Sequence, residues 1–179
     1  MKIYKQGLIV GRFQILHKGH GQMIRTAMAL CENTAVLVGS SQESGTLKNP
    51  LTYEKRKEFL SKVFQGLAVY PLPDIGVGNT GKWGDYVLEN AVNYCGCLPD
   101  LVVSGHESRR TSWINEEWNI AELFVPKFID ISATGMIEFI INDDRKSWEE
   151  YIEPALTDEY DYIRKQVAAS RNNLDTRSI

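Results

Sequence analysis

Five short apolar, β-rich runs alternate with stretches whose apolar residues recur at helical spacing, and this alternation limits the fold more than any other feature of the chain. The runs are Gly7–Val10, Thr34–Gly39, Leu67–Pro71, Leu101–Ser104 and Leu123–Phe128. Helical spacing occupies His20–Leu30, Thr52–Phe64 and Gly84–Tyr94, with Phe59, Leu60, Val63 and Phe64 on one stripe. Repeated β-α units predict an α/β architecture, a doubly wound and mostly parallel sheet. Such a sheet carries its site at the carboxyl ends of its strands.

Beyond residue 140 the pattern changes. Ser147-Trp148-Glu149-Glu150 reads as a capping box, and a further helix is expected from Thr157 to about Ser170. The chain is therefore read as a single domain, 1–179, with a C-terminal helical extension over about 147–171 packed on the sheet and a frayed end at Asn172–Ile179. Hydrophobic residues make up 43% and charged residues 24%, and no apolar run approaches the roughly 20 residues of a membrane helix. Residues Met1–Gln6 lead into the first strand rather than a signal peptide's apolar core, so no membrane partner and a cytoplasmic address are expected. A net charge of −3 argues against broad nucleic-acid binding, which calls for a basic face. Cys95-Gly96-Cys97 is too tight for an ordinary disulfide and lacks a second pair for zinc, which leaves reduced, structural thiols.

The chemistry concentrates where the first strand hands over to the first helix. There Gly11-Arg12-Phe13-Gln14-Ile15-Leu16-His17-Lys18-Gly19-His20 follows directly on Gly7-Leu8-Ile9-Val10. His17 and His20, three apart on a first helical turn, bring both rings to one ligand. Gly19 lets a flat base or a phosphate approach the main chain without meeting a Cβ. Unpaired N–H groups at the helix start add donors for a polyphosphate. Zinc would need a third and fourth ligand, and His106 is the only other histidine. A chance H-x-G-H on a surface loop is the plainer alternative; the strand before, the spacing of Met23, Ala27 and Leu30 after, and Arg12 in line oppose it. The residue set suggests nucleotidyl transfer.

Further segments follow in order: Val38-Gly39-Ser40-Ser41-Gln42, Asn49-Pro50-Leu51-Thr52 with Arg56, Tyr70-Pro71-Leu72-Pro73-Asp74-Ile75, Trp83, Val102-Val103-Ser104-Gly105, Ile131-Ser132-Ala133-Thr134, and Trp148 with Pro154. With the H-x-G-H block, these make residues 7 to 165 resemble the H-x-G-H nucleotidylyltransferase superfamily, and within it the archaeal-type nicotinamide-nucleotide adenylyltransferases. The resemblance implies a Rossmann-like fold, a homo-oligomer, and condensation of nicotinamide mononucleotide with ATP to give NAD and pyrophosphate without a covalent intermediate. Mg2+ would ride on the ATP phosphates with few or no protein ligands. Carried over residue by residue, His17 and His20 would be catalytic, with Arg12 and Arg56 as permanently charged phosphate contacts. Ser132 and Thr134 would offer hydroxyls and N–H groups to the polyphosphate, and Trp83 would stack on the pyridinium. Gly11, Phe13, Gln14, Gly19, Gln42, Asp74 and Gly105 complete the implied nucleotide-binding set.

Each residue has a structural alternative: Arg56 paired with an acid on its helix, Ser132 and Thr134 as simple caps, Trp83 in the core, Asp74 capping a turn. The family places an arginine shortly after Ile-Ser-x-Thr, where this chain reads Gly135-Met136-Ile137-Glu138. Arg145 and Lys146 are the nearest substitutes in sequence. Two other functions compete: adenylylation of a different phosphate-bearing acceptor, such as phosphopantetheine or flavin mononucleotide, and a non-catalytic nucleotide sensor.

Overall fold

A computed structural model describes residues 1–78, 80–105, 113–114 and 116–175. Its strands are β1 (Tyr4–Gly11), β2 (Cys31–Gly39), β3 (Ala68–Leu72), β4 (Leu101–Ser104) and β5 (Ala121–Phe124). They form one sheet in the order β3-β2-β1-β4-β5, and every pairing is parallel. Strand order reverses between β1 and β4, and the crevice at the carboxyl ends of that pair is where open parallel sheets take ligands.

Side chains of the central strands alternate between two buried clusters, as a two-residue period requires. Leu8, Ala35, Leu37 and Val102 pack with Val87, Leu88 and Ala91 of α3 (Gly81–Cys95). Ile9, Val36, Val38 and Val103 face the other way, toward Met23, Ile24 and Ala27 of α1 (Lys18–Leu30) and Phe59 and Leu60 of α2 (Tyr53–Val63). Helices thus cover both faces. The second cluster continues through Met136, Ile137 and Ile140 of α4 (Ala133–Ile141) to Trp148 of α5 (Arg145–Tyr151) and Ile163 and Val167 of α6 (Tyr160–Asp175).

The helix starts follow local chemistry. Thr52 caps α2 through the Lys55 N–H, and Ser132 caps α4 through the Gly135 N–H. Sequence expectations shift at several element ends: β1 begins at Tyr4, β2 at Cys31, and α6 runs on to Asp175. Strand β5 occupies Ala121–Phe124 rather than Leu123–Phe128, because Pro126 has no N–H to extend the ladder after the Val125 N–H bonds the Ser104 carbonyl. Ser147 is not the cap of α5: Asp144 is, its carboxylate accepting from the Ser147 N–H at 3.1 Å. Thr157 lies in a 3-10 turn, Pro154–Glu159, with its hydroxyl bonded to the Pro154 carbonyl, and α6 begins at Tyr160.

Gly84, on the buried side of α3, touches the chain segment at Trp113. A Cβ there would run into the Trp113 carbonyl, which is backbone and cannot step aside cheaply. Replacing Gly84 with alanine should therefore cost about 1–3 kcal/mol of stability, as overpacking does. Urea unfolding of the variant checks this; a midpoint unchanged from the parent would show that α3 packs differently.

Candidate active site

The strand-to-helix turn after β1 is held by its own side chains. Phe13 adopts a left-handed backbone (φ 49°) and is buried, its ring tilted against His20 at 5.0 Å. Gly11 leaves room for that ring, since a Cβ would sit 3.0 Å from it. His17 is the N-cap of α1: its Nδ1 accepts the His20 N–H at 3.3 Å. A neutral His17 with Nδ1 so occupied carries its proton on Nε2, a hydrogen-bond donor at the far side of the ring. The two imidazoles stack 3.8 Å apart at 22°, and a Cβ at Gly19 would press the His17 ring at 3.1 Å. Gly19 thus accommodates an imidazole.

Charge at this turn is strongly disfavoured. Burial, then the neighbouring His20, then Lys127 lower the His17 pKa to about 2. For His20, burial is the main cause of a pKa near 4; the Ile15 carbonyl opposes it and Lys127 adds to it. Its Nδ1 is buried without a protein hydrogen-bond partner. A stacked pair of neutral rings is pre-arranged to donate to an anion.

Arg56 departs from the direct phosphate contact that the resemblance implies. It is 0% exposed, and its guanidinium donates to the carbonyls of Thr52 (3.3 Å), Arg12 (2.9 Å), Gly39 (2.8 Å) and Ser40 (3.0 Å). Burial lowers its pKa to about 10. It ties the ends of β1 and β2 to α2. Gln14 is likewise spent within the chain, donating to Asn49 Oδ1 and accepting the Leu51 N–H at 2.9 Å. Arg12 itself stays exposed at the strand end.

The remaining candidates stand on the same carboxyl edge. Gln42 accepts the Asp74 N–H at 3.0 Å, and the Asp74 carboxylate accepts from the Ser40 hydroxyl at 2.6 Å, which braces the β2 and β3 loops together. Trp83 lies on the first turn of α3, partly buried against Tyr86. Gly105 follows β4, with Met23 Sδ 3.4 Å from where its Cβ would be. Ser132 and Thr134 are exposed at the start of α4. His106 lies outside the described residues.

Three participants carry no signal readable from one sequence. Glu153, 1% exposed, takes a bidentate ion pair from Arg25 at 2.6 and 3.0 Å, filling the space that Gly21 leaves empty. Its N–H bonds the Leu16 carbonyl, and Ile152 bridges His17, so the C-terminal unit buttresses the histidine turn. Ser40 holds a left-handed backbone (φ 48°) between the grip of Arg56 and Asp74. Lys127 reaches the histidines electrostatically from the segment after β5.

A parallel sheet with a stacked histidine pair at the end of its first strand, beside the reversal of strand order, defines a nucleotidyltransferase-type site. The family model described as cytidylyltransferase-like matches residues 8–132. The nicotinamide-nucleotide adenylyltransferase of Aeropyrum pernix is 32% identical over 160 residues, covering 84% of this chain and 87% of that protein. The enzyme of the same name from Thermococcus kodakarensis is 32% identical over 109 residues, covering 57% of this chain and 54% of its own length. The chain belongs to the cytidylyltransferase-like family, in the branch of the nicotinamide-nucleotide adenylyltransferases. Its fold matches a bifunctional NMN adenylyltransferase/ADP ribose pyrophosphatase from Francisella tularensis with a TM-score of 0.76 at 21% identity, covering 96% of this chain and 54% of that one.

The depressed histidine pKa values link to stability. An unfolded histidine takes up a proton below about pH 6.5 while the folded rings stay neutral to about 4 and about 2. Stability should therefore fall as pH drops below 6.5, by up to about 1.4 kcal/mol per pH unit for each ring. Urea midpoints at pH 7.5 and 5.5 measure it. The loss should shrink in His17→Gln, and an equal loss in that variant would assign the effect to other groups.

Proposed function

We propose that this chain joins nicotinamide mononucleotide to ATP, releasing pyrophosphate and forming NAD. The observation that carries the reading is the neutral, stacked pair His17–His20 at the carboxyl end of β1, in a chain 32% identical over most of its length to a nicotinamide-nucleotide adenylyltransferase. A phosphate oxygen of the mononucleotide attacks the α-phosphorus. The bond from that phosphorus to the bridging β-oxygen breaks, and its electron pair leaves on pyrophosphate. No proton need move, so the residues act by alignment and by stabilising charge on the polyphosphate.

In this reading the Nε2–H of His17 donates to a phosphate oxygen, and the stacked His20 ring lies beside it. Arg12 supplies a charge-assisted contact from the strand end. Ser132 and Thr134 present hydroxyls at the amino end of α4, where main-chain donors favour anions. Trp83 lies under the pyridinium. Gln42 and Asp74 order the loops of β2 and β3 around the mononucleotide, and Gly105 keeps the crevice beside β4 open. Arg56, Gly11, Phe13, Gln14 and Gly19 shape the turn without touching ligand.

A divalent cation fits this chemistry, and we assign Mg2+ carried by the ATP phosphates, where it offsets their charge. Among the described residues no group of three or more His, Cys, Asp and Glu side chains could hold a metal ion, so its ligands would come from the polyphosphate and water. No helix among the described residues is long and apolar enough to cross a membrane. We place the enzyme in the cytoplasm, as a homo-oligomer and a single domain.

Purified protein incubated with ATP, Mg2+ and a panel of mononucleotides should give dinucleotide and pyrophosphate in equal amounts, most rapidly with nicotinamide mononucleotide. Nucleotide binding without product would favour the sensor, and preference for another acceptor would move the chain within its class. His17→Ala and His20→Ala should each lower turnover about 10²–10³-fold with smaller effects on substrate affinity. Trp83→Ala should weaken mononucleotide binding by about 0.5–2 kcal/mol and leave ATP almost unaffected in calorimetry. Equal losses for both ligands would place Trp83 in the scaffold.

A further inference from the structure

Several cations near the nucleotide edge are already committed. Ile137, in the stretch that follows Ser132–Thr134, is 9% exposed and belongs to the hydrophobic core, and Glu138 beside it is exposed. Arg145, one of the two nearest substitutes in sequence, is held by Glu149 at 2.7 Å and lies over the Tyr160 ring at 4.9 Å. Arg25 is paired with Glu153, and Arg56 is closed in by carbonyls. Even Lys18, inside the H-x-G-H block, turns its ammonium to the Glu150 carbonyl.

The segment from Val125 to Ile131 is fastened at both ends, one at β4 and the other beside the histidine turn. The Val125 N–H bonds the Ser104 carbonyl at 2.8 Å, fixing its start at the end of β4. Ile131 Cγ2 lies 3.6 Å from the position of a Cβ on Gly19, fixing its end beside His17. Lys127 is exposed on this segment and joins none of the ion pairs found among the described residues.

We propose that Lys127 is a further catalytic residue of this site, the cation that meets the polyphosphate and stabilises the departing pyrophosphate, in an assignment that rests on the adenylyl-transfer reading above. Its charge opposes protonation of both imidazoles, in the same sense as burial, which dominates. The division of labour is then coherent. Neutral histidines supply hydrogen bonding, and the full charge comes from the segment that follows β5. The pyrophosphate leaves with the electron pair of the broken bond, so a fixed positive charge at that end stabilises the transition state more than the ground state.

The experiment compares parent, Lys127→Ala, Lys127→Arg and Lys165→Ala, whose lysine sits exposed on α6 away from the site. Lys127→Ala should lower kcat about 10- to 100-fold, more than it raises KM for nicotinamide mononucleotide. Lys127→Arg should keep most of the activity, and Lys165→Ala should match the parent. Two readouts do not depend on turnover. Calorimetric affinity for inorganic pyrophosphate should drop at least tenfold in Lys127→Ala, and the His20 titration followed by NMR should move up toward the ordinary histidine range. Unchanged kcat in Lys127→Ala against an active parent, or unchanged pyrophosphate affinity in any case, would overturn the assignment. A parent that makes no dinucleotide while Lys127→Ala still loses pyrophosphate binding would sink adenylyl transfer and keep Lys127 as the phosphate cation.

Discussion

The site depends on a buried guanidinium. Arg56 is closed off from solvent, and a charge so placed is costly unless its donors are satisfied. The satisfaction comes from backbone: the carbonyls of Arg12 and Gly39–Ser40 belong to the ends of β1 and β2, and that of Thr52 to the start of α2. Hydrogen bonds to a charged donor contribute about 1.5–3 kcal/mol each, enough to fix three chain segments that otherwise meet only as loops. A lysine could not reach four carbonyls in this fan, because its three donors radiate from a single nitrogen. The turn that carries Phe13 in a left-handed conformation is thereby held where His17 can cap α1, and the left-handed Ser40 where it can meet Asp74. Strain of this kind persists when surrounding contacts over-determine the backbone.

The second brace comes from the far end of the chain. Residues 152 and 153 reach the histidine turn through a bridge to His17, a hydrogen bond to Leu16 and the Arg25–Glu153 ion pair. Trp148, Ile152, Leu156 and Tyr160 share one buried cluster with Ile9 and Val36 of the sheet, which makes these helices part of the core beneath the site. Gly21 explains itself in this setting: any side chain there would occupy the place of the Glu153 carboxylate.

Much of this was legible in the sequence, and the physical reason is periodicity. Apolar runs of the length of a strand, separated by helical stripes, leave little freedom beyond a parallel sheet covered on both faces, and the matched segments then placed the nucleotide edge. What escaped were events of one residue or of long range. The end of β5 was set by one missing N–H at Pro126, and the start of α5 by Asp144 competing with Ser147 for the same cap. Arg56 illustrates a deeper limit. An arginine on a helix beside a phosphate motif has one pattern in sequence whether it points at ligand or at carbonyls, and only the fold distinguishes them. Glu153 and Lys127 come near His17 through loops whose paths no local pattern records.

Neutral histidines change what the remaining charges must do. Two imidazolium ions 3.8 Å apart would repel each other, and burial removes the water that would screen them. The fold settles this by keeping both rings uncharged, which preserves their donors and gives up their charge. A polyphosphate brings several negative charges into the same crevice, so hydrogen bonding alone leaves an electrostatic deficit. We assign that deficit to groups at the edge rather than in the core, where desolvation would penalise a charge as it does at Arg56. In our reading Arg12 at the end of β1 and Lys127 beyond β5 stand at that edge. With the charge held there, the histidine turn can stay uncharged.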